Sequence, residues 1–209
     1  MRLVCISDTH SMHRQIQVPE GDILIHAGDC LGVGTLEELE DLDSWFAEQP
    51  HRHKILIAGN HDWCFQDEPQ DARALVQNAH YLQDSSFELE GLTFWGSPWT
   101  PVFFNWAFNL ERGERMAERW AQIAAGTDVL ITHGPPAGIL DAVPTATGFL
   151  NVGCEDLTRA VETLAPKLHI FGHIHEGYGQ QQIGQCRYIN ASTCTGCFQP
   201  LNPPIVIDL

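Results

Sequence analysis

The sequence predicts an α/β fold on two observations: short apolar runs of strand length recur along the chain, and segments with helical spacing lie between them. The runs are Leu3–Ile6, Ile23–His26, Lys54–Ala58, Asp128–Ile131, Leu168–Phe171 and Ile205–Ile207, each with the length and β-branched content of a buried strand. A first helix is signalled by Thr35 and Glu38, a capping-box pair, and runs through Leu36, Leu39, Leu42, Trp45 and Phe46 at spacings of three and four before Pro50 stops it. A second is expected over Glu111–Ala125, where Met116, Trp120, Ile123 and Ala124 share a face and Gly126 ends the run. A third is expected over Glu155–Ala165, with Leu157, Val161 and Leu164 inward and Pro166 beyond. Phe87–Leu89 and Leu92–Trp95 read as a hairpin turning at Glu90-Gly91; together with Cys186–Ile189 they predict that part of the sheet structure is antiparallel. No repeat and no linker rich in Pro, Gly or Ser divides the chain, so residues 1–209 are read as one domain.

Composition narrows the function. The 209 residues include 27 acidic and 11 basic side chains, a formal charge of −16 with neutral histidine. Such a surface repels phosphate backbones and anionic lipid, and Lys and Arg form no run, so neither a stable nucleic-acid partner nor a membrane is expected. Seven cysteines, an odd number spread over the whole chain, are unlike a disulfide framework and predict a reducing compartment. The N-terminal apolar stretch is shorter than the ~7–15 residues of a signal-peptide core. No run approaches the ~18 apolar residues of a membrane span, and the expectation is a soluble cytoplasmic protein. Eleven histidines, as many as Lys and Arg together, are the unusual feature.

The residues that follow each apolar run explain the excess. Leu3–Ile6 leads into Ser7-Asp8-Thr9-His10, Ile23–Ala27 into Gly28-Asp29, and Lys54–Ala58 into Gly59-Asn60-His61-Asp62. Asp128–Ile131 leads into Thr132-His133, and Leu168–Phe171 into Gly172-His173-Ile174-His175. Ligands of α/β sheets bind beyond the carboxyl ends of the strands, so five such ends predict one shared rim. Any one of these motifs is commonplace, but Gly-Asn-His-Asp arises by chance in a chain of this length only on the order of 10⁻³ times at ~5% per residue. Two carboxylates (Asp8, Asp29), one amide oxygen (Asn60) and four imidazoles (His10, His133, His173, His175) make seven oxygen and nitrogen donors, too many for one ordinary site and suited to two adjacent ones. With no thiolate among them, two divalent metal ions are expected, with Mn²⁺, Fe, Co²⁺ and Zn²⁺ all suited; Asp29 is the candidate bridge.

D-x-H, G-D, G-N-H-D, T-H and G-H-x-H in this order resemble the signature of the calcineurin-like metallophosphoesterases, and the resemblance runs from residue 8 to residue 175. Longer stretches, among them Thr132-His133-Gly134-Pro135-Pro136, His175-Glu176-Gly177-Tyr178-Gly179 and Ile189-Asn190-Ala191-Ser192-Thr193-Cys194, are similar to the brain-type subgroup of metallophosphoesterase-domain proteins and its bacterial relatives. The resemblance implies a four-layer α-β-β-α sandwich of two mixed β-sheets flanked by helices. It implies Asp8, His10, Asp29 and His175 at a first metal, and Asp29, Asn60, His133 and His173 at a second. Some animal members of the subgroup have glycine at the first histidine of G-H-x-H; His173 is kept here, which implies an intact second position.

The activity so implied is phosphoester hydrolysis by a metal-bridging hydroxide, most readily on small phosphodiesters of the cyclic-nucleotide kind. A phosphomonoesterase or nucleotide pyrophosphatase of the same site, and a non-catalytic metal-binding scaffold, are the alternatives. His61, beside Asn60 but not a ligand, is expected to donate a proton or hydrogen bond at the leaving oxygen. Asp62 is expected either to orient that imidazole or to serve as a loop carboxylate. His13 and Arg14 are candidate substrate contacts just beyond the first motif. His26, His51, His53, His80 and His169 match no motif and are read as core or surface residues. Seven aromatic side chains between Phe94 and Phe108 read as packing or a homodimer surface ahead of a pocket wall for a planar group.

Overall fold

In the computed structural model, which describes residues 1–209, the strands are β1 (Arg2–Ile6), β2 (Ile23–Ala27), β3 (His53–Ile57), β4 (His80–Tyr81), β5 (Ser85–Leu89), β6 (Leu92–Ser97), β7 (Thr100–Pro101), β8 (Asn109–Leu110), β9 (Val129–Thr132), β10 (Ala142–Thr145), β11 (Gly148–Asn151), β12 (Leu168–Phe171), β13 (Gly179–Ile183), β14 (Cys186–Asn190) and β15 (Ile205–Asp208). The helices are α1 (Leu36–Glu48), α2 (Cys64–Asp67), α3 (Pro69–Leu75), α4 (Glu114–Trp120) and α5 (Glu155–Leu164). Two large sheets result, in the orders β15-β1-β2-β3-β4 and β13-β14-β12-β9-β6-β5. β1 through β4 are parallel, as are β14, β12, β9 and β6; β15, β13 and β5 run antiparallel at the edges.

The period-2 alternation of side chains builds the layers. Leu3 and Cys5 of β1, Ile23 and Ile25 of β2, and Ile55 and Ile57 of β3 face Val129, Ile131, Leu168 and Ile170 of the second sheet in one core cluster. The intervening Val4, Ile6, Leu24 and Leu56 face outward onto Leu39, Leu42, Trp45 and Phe46 of α1. On the far side, Trp95, Leu130, Phe171 and Tyr188 pack against Met116 and Trp120 of α4 and Leu157 and Val161 of α5. The order is therefore helix, sheet, sheet, helix, as the motifs implied. α1 opens with the expected reciprocal capping box of Thr35 and Glu38.

The second helix is shorter than its periodicity suggests. Gly113 has φ 94°, outside the helical region, and its N–H goes to Asp156 Oδ2 at 2.9 Å, so α4 starts only at Glu114. Beyond Trp120 the chain continues in turns. β13, rich in glutamine and largely exposed, carries no hydrophobic pattern by which a sequence would reveal it; it is held as an edge by antiparallel bonding to β14. No helix is long and apolar enough to cross a membrane.

Ile25 lies in the middle of the layer between the sheets and is fully buried. Ile25→Ala is expected to remove about 2–5 kcal/mol of stability and to lower the melting temperature measurably, whereas Val206→Ala, at an exposed edge position, is expected to leave it nearly unchanged.

Candidate metal centre

The parallel strands of both sheets deliver their following loops to one rim. Asp8 and His10 follow β1, Asp29 follows β2, Asn60 and His61 follow β3, His133 follows β9, and His173 and His175 follow β12. The sheets are joined at this point by a parallel bridge between Ser7 and Ser192, with Thr193 N–H donating to the Ser7 carbonyl at 2.8 Å. The seven donors named from the sequence meet here.

They form two adjoining groups. In one, His175 Nε2 lies 3.4 Å from Asp8 Oδ1 and 3.3 Å from His10 Nε2. In the other, His133 Nε2 lies 3.3 Å from Asp29 Oδ1 and 3.0 Å from Asn60 Oδ1, and His173 completes a donor set with Asp29 and His133. Asp29 also shares a set with His10 and His61, so it stands between the two groups. Backbone carbonyls fix the tautomers: His133 Nδ1 donates to Ala27 O at 3.0 Å and His175 Nδ1 to Thr195 O at 2.9 Å, which leaves the Nε2 lone pair of each turned into the cluster. Each Nε2 thus faces carboxylate, amide or imidazole atoms at hydrogen-bond distance, where it holds either a proton or a metal ion. Such a set needs cations, and oxygen and nitrogen donors without thiolate fit hard or borderline divalent metals.

Charge responds accordingly. Burial opposes the ionised forms of Asp8 and Asp29, yet the imidazoles beside them hold both carboxyls well below their ordinary range. Burial likewise opposes protonation of His133 and His175, yet Asp29 and Asp8 raise them to about 9. His173, buried and next to His133, is lowered to about 4. In the metal-free protein, protons on His133 and His175 supply the positive charge that the carboxylates require.

The backbone is bent to this purpose. Asp8 (φ 52°), His10 (φ 44°), Ser11 (φ 61°), Asp29 (φ 50°) and His173 (φ 67°) all occupy the left-handed region, uncommon for any residue but glycine. Gly172 sits against the first carboxylate: a Cβ there would collide with Asp8 Oδ2 and Ser7 Oγ. Asp8 also accepts from His173 N–H at 2.9 Å and from Ser192 Oγ at 2.9 Å, while Asp29 accepts from His61 N–H at 2.8 Å. The sequence assigns no role to Ser192, though it lies in a stretch that carries the resemblance, nor to the Thr195 carbonyl; the signal available was that β14, like the five other strands, runs straight into a polar segment, Asn190 to Thr195. Two histidines outside the motifs, His26 and His169, are buried, lowered to about 3 by that burial, and bonded to Thr9 and Thr132 of the motif loops.

The structure chooses between the two readings of Asp62, corrects that of His13 and Arg14, and divides the aromatic segment. Asp62 does not touch the His61 ring: its carboxylate is buried and takes the N–H groups of Gly59 (2.7 Å) and Leu31 (2.9 Å), tying the β2 and β3 loops together, while His61 Nδ1 donates to Gly32 O at 2.8 Å. Asp62 is thus the loop carboxylate rather than a catalytic group. His13 and Arg14 face helix α1, where His13 Nε2 meets Asp41 at 3.0 Å and Arg14 pairs with Asp41 and Glu48, so neither wall of the site includes them. The aromatic segment divides among roles: Phe94, Trp95 and Phe108 are core, Phe103 and Phe104 are exposed, and Trp106 stacks on His61 with centroids 4.3 Å apart and planes at 25°. A cavity of about 490 Å³ opens over the donors, its walls including Val102, Phe103, Trp106, Val143 and Phe198.

A two-sheet sandwich with this donor cluster at its rim is the architecture of a metal-dependent phosphoesterase. The sequence profile of the calcineurin-like phosphoesterase superfamily domain matches residues 1–207. The chain is 44% identical to human metallophosphoesterase domain-containing protein 1, over all of this chain and 71% of that protein. It is 40% identical to UPF0046 protein K07C11.7 of Caenorhabditis elegans, over 99% of this chain and 74% of that protein. Among solved structures, TT1561 of Thermus thermophilus superposes with a TM-score of 0.57 at 11% identity, over 90% of this chain and 88% of that one. An archaeal phosphodiesterase superposes with a TM-score of 0.51 at 15% identity over the whole of both chains. The chain belongs to the calcineurin-like phosphoesterase superfamily and is a phosphoester hydrolase.

Because His133 and His175 hold protons in the metal-free state, loading with a divalent ion is expected to release protons at pH 7.5, and affinity is expected to fall as pH drops below about 9. Calorimetric titration with Mn²⁺ in two buffers of different ionisation enthalpy reads this directly; equal heats in both would contradict it.

Proposed function

We propose that the protein hydrolyses small phosphodiesters at a two-ion centre, with Asp8, His10, Asp29 and His175 as ligands of one divalent ion and Asp29, Asn60, His133 and His173 as ligands of the other. The observation that carries this reading is the position of Asp29, common to the His133/His173 set and to the set that includes His10. Two carboxylates and an amide oxygen beside four imidazoles favour Mn²⁺, with Fe, Zn²⁺ and Co²⁺ as ions the same donors accommodate. Divalent ions bound there supply Lewis acidity at phosphoryl oxygens and water of lowered pKa.

The remaining work falls to the chain's own groups. His61 commits Nδ1 to the Gly32 carbonyl and lies in the cavity wall, which leaves Nε2 as the ring atom available to a leaving ester oxygen. Trp106 holds the ring from one side, and the peptide N–H of His61, bound to Asp29, fixes its base.

A diester rather than a monoester is supported by the charge of the walls. Arg112 is the only Lys or Arg in them, and it is engaged by the Gly153 and Val152 carbonyls and by Glu155. Glu176, also in the wall, has no cationic partner. A monoanionic diester suits such walls better than a dianionic monoester. All seven cysteines are free thiols and six are buried, in keeping with action in a reducing, cytoplasmic compartment.

With Mn²⁺ added, bis-p-nitrophenyl phosphate is expected to be hydrolysed with kcat/KM at least about tenfold above p-nitrophenyl phosphate, and preference for the monoester would overturn the diester reading. His61→Ala is expected to keep its metal, measured by elemental analysis, and to lose about 10²–10⁴-fold in kcat; retained turnover would remove His61 from the mechanism.

A further inference from the structure

The apolar side chains that the fold leaves in water are concentrated in one place. Of the eleven large hydrophobic residues that are exposed, six fall in three segments: Val102, Phe103 and Phe104; Phe149 and Leu150; and Phe198. All three border the cavity over the donor cluster. Val102, Phe103 and Phe198 line it, and the β10–β11 hairpin that carries Phe149 and Leu150 contributes Val143, the partner of Leu150 in the ladder. Phe104 and Phe149 are each 79% exposed.

The apolar surface is continuous with the reacting centre. Phe198 lies with its ring 5.0 Å from that of His10 and 5.2 Å from that of His175. Trp106 stacks on His61, and Phe103 meets Phe104 edge to face at 4.5 Å, carrying the surface out to solvent.

Charge is absent from the same segments. Residues 92–110, 142–154 and 188–207 contain no Asp, Glu, Lys or Arg, although the chain as a whole carries −16. A neutral mouth in an acidic surface offers nothing to an anionic bilayer or a polyanion. A second copy seated on the rim would close the route to the donors. An apolar substituent of the substrate itself meets both conditions, since it would lie along the rim while the phosphate is held at the centre.

We propose that the phosphodiester taken by this site is amphiphilic: one ester substituent is an extended alkyl or acyl chain, laid over Phe103, Phe104, Phe149 and Phe198. The proposal rests on the diesterase reading above and adds the class of substituent to it.

The test is a series of p-nitrophenyl alkyl phosphates, methyl, butyl and octyl, each below its critical micelle concentration. In the wild-type protein kcat/KM is expected to rise about tenfold or more from methyl to octyl, chiefly through KM. The double variant Phe104→Ser/Phe149→Ser, at exposed positions outside the cavity wall, is expected to lose most of that rise and to keep the rate on the methyl ester. A flat series in the wild type, or a rise that the double variant retains, would overturn the proposal. So would a dimer by light scattering that the double variant dissociates while the series stays flat, because the rim would then belong to a second copy. Calorimetric competition of octyl against methyl phosphonate for the Mn²⁺-loaded protein reads the subsite without turnover. Tighter octyl binding in a protein that hydrolyses no diester would support the apolar subsite and overturn the activity; equal binding beside normal turnover of the methyl ester would do the reverse.

Discussion

Two ionised carboxylates, Asp8 and Asp29, are buried where the two sheets meet, and the rest of the rim is arranged around keeping them charged. Burying a carboxylate is unfavourable by several kcal/mol unless donors and opposite charge surround it. Here the His173 N–H, the Ser192 hydroxyl and the His61 N–H supply donors, while His133 and His175 supply charge or, once an ion is present, lone pairs. These groups come from four loops, those after β3, β9, β12 and β14, so the cluster exists only if both sheets end in register. The Ser7–Ser192 bridge provides that register, and the left-handed backbone at Asp8, His10, Asp29 and His173 is the strain accepted for it. An interior of alternating apolar strands, anchored on both faces by helices, holds that strain in place.

The electrostatics separate two questions that net charge alone confuses. The overall −16 discourages polyanions, but the surroundings of the centre are not acidic; they are neutral and apolar on three segments, with one engaged arginine and one unpaired glutamate inside the cavity. Attraction for a phosphoester must therefore come from the metal-binding cluster itself, and discrimination between esters from the shape and polarity of the walls. The histidine excess belongs to this cluster and its supports: four imidazoles face the centre, His61 stands in its wall, and His26 and His169 brace the threonines of two motif loops.

Much of this was legible because strand ends carry information. An apolar run followed at once by Asp, His or Asn locates both a strand and a donor, and β1, β2, β3, β9 and β12 lie within a residue or so of their apolar runs. The layered core follows from alternation within those same runs. What escaped was whatever depends on backbone groups or on chain segments distant in sequence. The carbonyls of Ala27 and Thr195 have no residue-type signature, yet they set the tautomers of His133 and His175. Asp62 adjoins His61 in sequence but turns to the N–H groups of Gly59 and Leu31, because a tight loop sends neighbouring side chains in opposite directions. His13 and Arg14 are drawn away by Asp41 and Glu48, acids on a helix more than twenty-five residues further on. β10, β11 and β13 are exposed ribbons whose burial pattern has no period to detect.

Asp29 is the carboxylate shared by the set with His10 and the set with His133 and His173, and the proposed two-ion centre stands on it. Equilibrium dialysis of the metal-free protein against Mn²⁺, followed by electron paramagnetic resonance of the loaded protein, addresses it directly. Two ions per chain are expected, with the broadened, multiline spectrum of an exchange-coupled pair, and Asp29→Ala is expected to abolish the coupling. One ion per chain, or two that give only the simple six-line spectrum of isolated Mn²⁺, would contradict it.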